Sequence, residues 1–531
     1  MPFSMGGMTT RRHFLQKLAA VGGTGAVLAA MNAFGVPTAS AADTPPALTG
    51  SGKGKKVLIL GAGHAGNVAA YELRKLGYEI VILEARSFAG GRVQTARRGF
   101  QAQELGGEAQ LCNFDPGQYI NFGPWRIPYH HRSTLHYTKQ LGVPLEIMVN
   151  DNDASYVYAH GVPGGLNDKR LRQSEIKADA RGYSSELVAK ATSTGKLDGL
   201  LAPEDKDLFL AYLVNEGYLS KADLSYKGTD GRGYKVAPGA GLEAGTFSDP
   251  YGFSDILNSR LWAYFNSVSP FEQQVTMFQP VGGMDQIARA FERELGHLIR
   301  FNSEVERIRQ NDQGVTVDYR DVKSGKRASV SADYAIVTIP LSVLHQIDTD
   351  FSAPFAEALR SVSYSAVGKA GLQMKRRFWE EDDGIYGGHI KTNFPGFFGH
   401  YVISLPSTGW QGQKGVLQGA YIYGDAAIEV SAKSLAERNE HFLAVGETVF
   451  PGQYRSNFES AFSWFWHRAK YSQGGWAEWS EAARRTAYPK LLEPDGRIYL
   501  AGEHLSHLNG WQAGAIESAW QQIEKLHQRA S

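Results

Sequence analysis

Three glycines and one distant acid are the residues whose types and spacing do recognisable chemistry. Gly61, Gly63 and Gly66 follow the apolar run Val57–Leu60, and Ala69, Ala70 and Leu73 continue with helical periodicity. That order builds a tight turn onto a helix N-terminus, where free N–H groups and the helix dipole hold a pyrophosphate. A second apolar run, Glu79–Leu83, ends at Glu84, about 20 residues beyond the glycines, as a dinucleotide fingerprint requires. A carboxylate there accepts hydrogen bonds from ribose hydroxyls and repels a 2′-phosphate. A lone GxGxxG carries little weight. Strand, turn, helix, second strand and terminal acid together point to dinucleotide binding.

NAD and FAD share this fingerprint, and the downstream segments bear on the choice. Glu84-Ala85-Arg86 leads into Ala89-Gly90-Gly91-Arg92, then Glu104-Leu105-Gly106-Gly107-Glu108. Paired glycines let backbone approach a bulky ligand, and Arg92 adds a cation near the phosphates. Near the C-terminus, Arg497–Leu500 reads as a strand running into Ala501-Gly502-Glu503. Gly510-Trp511-Gln512-Ala513-Gly514-Ala515-Ile516-Glu517 then opens a helix.

These segments resemble the flavin-dependent amine oxidase family, which includes monoamine, polyamine and L-amino acid oxidases. The resemblance runs from about Lys55 to His527 and is weak between Gly161 and Pro270. It implies an α/β fold: a Rossmann-type FAD-binding domain assembled from three chain segments, plus a mixed-sheet substrate domain with a helical insertion. The FAD-binding pieces fall at residues 55–115, 280–345 and 491–531, the substrate-domain pieces at 116–279 and 346–490. The FAD contacts it implies are Gly61, Gly63, Gly66, Glu84, Ala85, Arg86, Gly91, Arg92 and Gly107. They continue with Gly123, Pro124 and Trp125, a backbone clamp on adenine at Val305, then Gly502, Glu503, Gln512 and Ala515. Glu108 and Glu503 read as cofactor ligands or packing groups rather than bases. A covalent flavin thioether would need a cysteine near the C-terminal motif; the single cysteine is Cys112, so FAD is expected to be non-covalent.

The resemblance also supplies the catalytic candidates. Lys369 lies in the small-residue run Ser363–Ala370, where the family places a lysine linked through water to flavin N5. Burial would depress its pKa. Arg126, in Gly123-Pro124-Trp125-Arg126-Ile127-Pro128, matches the arginine that grips the substrate carboxylate in L-amino acid oxidases. Guanidinium suits that task because it offers two parallel hydrogen bonds to a carboxylate. Trp476 and Trp511 fall where two aromatic walls flank the amine; the family more often has tyrosine at the Trp476 position. Gly510 leaves room for the α-amino group. Tyr401 is the nearest substitute for a second carboxylate ligand. The implied reaction is FAD-dependent oxidative deamination of L-amino acids. Hydride passes from Cα to flavin N5, and O2 is used to give 2-oxo acid, ammonia and hydrogen peroxide. Amine or polyamine oxidation, and amino acid 2-monooxygenation to an amide, stay open as alternatives.

Composition bounds the rest. The chain of 531 residues is long enough for two large cores. A net charge of +1 gives no support for nucleic acid or an anionic membrane as partner. His130, His131 and His136 share one segment without a partnering carboxylate in sequence, so no metal site is expected. Residues 1–42 read as a twin-arginine export signal: Arg11-Arg12, a mildly apolar Leu18–Met31 stretch and Ala39-Ser40-Ala41-Ala42 before Asp43. That stretch is too short and glycine-interrupted for a permanent membrane span. Periplasmic or secreted location is therefore expected, with L-amino acid and O2 as partners and a homo-oligomer left open. Residues 43–54, rich in Pro, Gly, Ser and Lys, read as a linker.

Overall fold

The computed structural model describes residues 43–265, 269–394 and 409–531, and the backbone alone of 400–405. The proposed export signal lies outside the described residues. Leu48–Ser531 forms one compact unit.

A five-stranded parallel sheet carries the nucleotide-type turn. Its order is Ile299–Arg300, Glu79–Leu83, Lys56–Leu60, Tyr334–Val337, Ile498–Leu500. Strands from three separate chain segments thus lie side by side, as where Val57 pairs with Tyr334. Parallel strands are covered on both faces, which explains why Val57–Leu60 and Ile80–Leu83 read as unbroken apolar runs. On one face pack helices His64–Lys75, Gln286–Leu295 and Gln512–Ala530. The other face meets a four-stranded sheet containing Ser303–Gln310 and Val315–Asp321, and helices Ala353–Leu359 and Tyr488–Leu492.

The second body is a seven-stranded mixed sheet, ordered Arg170–Arg172, Tyr156–Tyr158, His389–Thr392, His400–Leu405, Gly415–Tyr423, Val367–Met374, Phe458–Phe465. All its pairings are antiparallel except that of His389–Thr392 with Tyr156–Tyr158. Val367–Met374 is buried along all eight residues, between Gly415–Tyr423 and Phe458–Phe465. The helical insertion includes Gln173–Ser193 and Lys206–Glu216. It is pinned by the fully buried Arg232–Asp179 pair, whose acid also accepts from Tyr226 Oη at 2.7 Å.

The second FAD-binding segment opens with a strand that ends at Pro280, Gly282 and Gly283 turn the chain at φ +84° and +114°, and a helix follows from Gln286. One sequence expectation changes. The stretch read as a linker is folded from Leu48 onward. Leu48 packs on the core, Gly52 N–H donates to Leu76 O at 2.8 Å, and Thr49 O lies 2.9 Å from His527 Nε2. A side chain at Gly52 would strike the Tyr78 ring.

Candidate active site

A cavity of about 830 Å³ opens between the parallel sheet and the seven-stranded sheet. Its lining divides into a backbone-rich end and an aromatic, cationic end.

At the first end, helix His64–Lys75 starts at Gly63 with no side-chain cap, so its N-terminal N–H groups remain available to an anion. Gly61 holds φ +108°, and a Cβ there would lie 2.7 Å from Thr338 Oγ1. A Cβ on Gly91 would meet Gly63 Cα at 3.2 Å, and one on Gly66 would meet Gly61 O at 2.0 Å. Gly61, Gly63 and Gly91 line the cavity; Gly66 lies behind it and lets the helix seat on the turn. Glu84 accepts from Ala62 N–H at 2.8 Å and Arg86 N–H at 2.9 Å, fixing the turn while its carboxylate faces the cavity. Ala85, Arg86 and Val305 complete this end. Arg86 lies over the Tyr471 ring at 5.4 Å. The uncapped helix, the glycine cradle and the acid fit a dinucleotide with two ribose hydroxyls.

Arg92 and Glu503 meet at 2.9 Å, and Arg92 also donates to Gly475 O at 2.8 Å. Glu503 accepts from Gly510 N–H at 3.1 Å and Ala477 N–H at 3.2 Å. One buried carboxylate therefore ties together the segments that carry Trp476 and Trp511. Gly502, Gln512 and Ala515 also line the cavity. Gln512 Oε1 lies 2.7 Å from His64 Nε2, and burial pushes that imidazole down to about 4, so it is neutral.

At the second end, Lys369 occupies the central strand directly across from Tyr421. Its Nζ donates to Gly123 O and stands 5.1 Å from the Trp125 ring centre and 4.4 Å from that of Tyr421. Only 3% of the residue is exposed. Burial first, and the charge of Arg126 second, hold its ammonium well below the usual lysine range. Gly123 itself has no room for a side chain, since a Cβ there would lie 1.9 Å from Arg92 O. Pro124 lines the wall beside it.

Arg126 is buried, with its guanidinium 5.0 Å from the Trp125 ring centre and 5.5 Å from that of Trp511. Nη1 donates to Asn150 Oδ1 at 3.0 Å and Nη2 to Gln273 Oε1 at 2.5 Å, while Nε is buried without a partner. Both partners are neutral amides. Among the described residues, no carboxylate lies within ion-pair distance of Arg126. A buried guanidinium with neutral partners alone is costly, and an anion seated beside it would lower that cost.

Trp476, Gly510 and Trp511 line the same cavity. Trp476 tilts 60° against Tyr423 at 5.7 Å, and Trp511 stands edge-on to His131 at 4.9 Å. Sequence reasoning missed Tyr421 and Tyr423, although they alternate on one strand and so share a face. It also missed Asn150 and Gln273, whose partnership with Arg126 leaves no local signal.

Two expected contributors lie elsewhere. Gly107 and Glu108 border a separate cavity of about 340 Å³, and Glu108 is exposed. The acid of that motif that is buried is Glu104, paired with Arg438 at 2.7 Å, so the second double glycine serves a structural salt bridge. The Tyr401 side chain lies outside the described residues. Cys112 is fully buried, with its thiol pushed up to about 11, and is absent from the cavity lining. The histidine segment does have an acid: Glu272 reaches His130 at 3.1 Å and His131 at 2.6 Å. It comes from about 140 residues away, which is why no spacing announced it.

With a glycine cradle, a ribose-type acid and a roofed cationic pocket established, the class follows. Residues 65–522 match the model of the flavin-containing amine oxidoreductases, and the chain belongs to that family. It is a flavoenzyme, an oxidoreductase using FAD. It is 30% identical over 487 residues to an L-amino-acid oxidase of Protobothrops flavoviridis, covering 87% of each chain. It is also 29% identical over 482 residues to the YobN protein of Bacillus subtilis (strain 168), covering 89% of this chain and 94% of that one. Among solved structures, cyclohexylamine oxidase from Brevibacterium oxydans IH-35A shares the fold, with TM-score 0.59 and 16% identity over 90% of this chain and 99% of that one.

Proposed function

We propose that the protein oxidatively deaminates L-amino acids, with Arg126 as the carboxylate ligand. One observation carries the reading: a buried guanidinium faces the cavity with two neutral amide partners and, among the described residues, no acid. A plain amine would leave that charge without an anion; an amino acid supplies one. The L-amino-acid oxidase among the similar proteins supports the same choice.

FAD held here would supply a two-electron acceptor for the substrate Cα–H, with O2 as the final oxidant reduced to hydrogen peroxide and one water hydrolysing the released imino acid to 2-oxo acid and ammonia. The chain's own groups do the rest. Arg126 orients the carboxylate, Asn150 and Gln273 fix the plane of its guanidinium, and Trp476, Trp511, Tyr421 and Tyr423 exclude water. Burial and the Arg126 charge disfavour the Lys369 ammonium, which suits Nζ to accept a proton from the α-ammonium group. Gly61, Gly63, Gly91, Glu84, Arg86, Arg92, Val305 and Gln512 hold the cofactor without a covalent bond, and acid denaturation should release all flavin into solution.

The test is anaerobic mixing of the holoenzyme with the common amino acids and several amines, following flavin bleaching. Bleaching by amines and by no amino acid would overturn the assignment. Residues 1–42 are proposed to direct export by the twin-arginine route. Arg11→Lys with Arg12→Lys should leave the enzyme in the cytoplasm of the producing cell. Among the described residues, no helix is long and apolar enough to cross a membrane.

A further inference from the structure

We infer that His130, His131 and Glu272 form a site for one divalent transition-metal ion, one residue removed from the cavity wall. One ligand atom from each of the three side chains lies within 4.8 Å of the others. Both imidazole Nε2 atoms converge on the same oxygen, Glu272 Oε2. A tetrahedral ion with bonds of about 2.0–2.2 Å sets its ligand atoms roughly 3.3 Å apart. The His130–Glu272 separation of 3.1 Å is near that value, and the His131–Glu272 separation of 2.6 Å needs to open by less than about 1 Å. Two imidazoles and one carboxylate suit zinc, cobalt or nickel rather than calcium or magnesium, which want oxygen shells.

The site is built before any ion arrives. Ile127–Pro128 pairs antiparallel with Met277–Phe278, and Tyr129 N–H donates to Thr276 O at 3.1 Å. The sheet therefore holds the histidine turn against the Phe271–Gln273 turn. Phe271 stacks on His130 at 4.0 Å, and Trp511 stands edge-on to His131, so both imidazole rings are fixed in orientation. The Glu272 side chain keeps 32% of its surface open, which leaves an entry path and a fourth coordination position. Glu517 adds a further acid near enough for its carboxyl to feel the charge of Glu272.

The site would act on the neighbouring pocket through Gln273. An ion on Glu272 fixes the turn whose next residue accepts a hydrogen bond from Arg126. The metal assignment itself stands on the three ligands and not on the choice of substrate.

The experiment uses the FAD-loaded enzyme, stripped with a chelator and dialysed against micromolar zinc chloride, with bound zinc measured by mass spectrometry. One equivalent per chain is expected. Glu272→Gln and His130→Ala each remove a direct ligand and should weaken binding by more than the roughly 10- to 100-fold that losing an outer partner costs, with flavin absorbance retained in the absence of zinc. His136→Ala, on the adjacent helix, should bind as the wild type does. Cobalt substitution should give the visible absorption of a tetrahedral nitrogen–oxygen site. Less than about a fifth of an equivalent, or undiminished binding in both ligand variants, would overturn the site and show a carboxylate merely shared by two histidines.

Discussion

The two ends of the cavity are built from different materials. The nucleotide end is backbone: glycines at close approach, an uncapped helix and Glu84 satisfying two N–H groups within two residues of itself and 22 positions back. The reactive end is side chain: Lys369, Arg126, Trp511, Trp476, Gln273 and Asn150 arrive from separate segments. Backbone sites are tolerant of what surrounds them but intolerant of any Cβ. Side-chain sites accept substitution sterically but depend on buried charge, here two basic groups beside one aromatic ring. The comparison teaches where each kind of damage should appear: at the first end in cofactor retention, at the second in turnover.

The sharpest break comes from Arg126→Ala. Loss of a buried carboxylate partner costs on the order of 3–5 kcal/mol, so kcat/KM for amino acids should fall by roughly 100- to 1000-fold or more while FAD stays bound. Steady-state peroxide production and flavin absorbance measure the two halves separately; unchanged turnover would sink the carboxylate assignment. The mirror experiment is Gly123→Ala, where the added methyl would collide with the Arg92 carbonyl. Here both FAD content and turnover should drop together, because Gly123 O also holds Lys369.

Glu84→Ala comes next. It strips acceptors from Ala62 N–H and Arg86 N–H, and about 1–3 kcal/mol of FAD affinity should be lost, roughly 5- to 150-fold. Flavin fluorescence released on dilution reports it. Lys369→Met separates stability from catalysis. With its folded pKa depressed, Lys369 opposes folding wherever the unfolded lysine is protonated, and that penalty vanishes as pH rises toward 10.5. The variant should therefore melt about 1–3 °C higher at pH 7, with the advantage fading by pH 10, while reacting more slowly. A lower melting temperature at neutral pH would mean that the lysine is charged and paired in the fold.

The smallest expected effect is at Gly107→Ala. A Cβ there would sit 3.3 Å from that of Glu104 and away from the main cavity, so FAD affinity should stay within about twofold. A large loss of FAD would return the second double glycine to the cofactor site.

Legibility followed the same division. The nucleotide end was readable because its determinants are local: a glycine at positive φ, a helix start and a strand-end acid leave fixed spacings in the chain. The misreading of Gly107 came from extending that logic to a double glycine whose neighbour, Glu104, answers to Arg438 some 334 residues away. The strand Phe458–Phe465, which flanks Lys369, went unnoticed because its aromatic run reads equally as core or cavity wall. Arg126 and Lys369 were found through family resemblance; nothing in their own surroundings announces burial or mutual repulsion.

By itself, then, the sequence determined a dinucleotide-binding turn through short-range pattern and motif spacing, while the flavin, the three-part parallel sheet and the two basic candidates were reached through resemblance to a known family. Tertiary structure alone decided which acids approach which cations. It set Glu503 as the tie between two tryptophan segments, withheld any described carboxylate from Arg126 and brought Glu272 to the histidine pair. The physical reason is that charge compensation depends on distance in space, and residues more than a hundred positions apart meet only when the chain has folded.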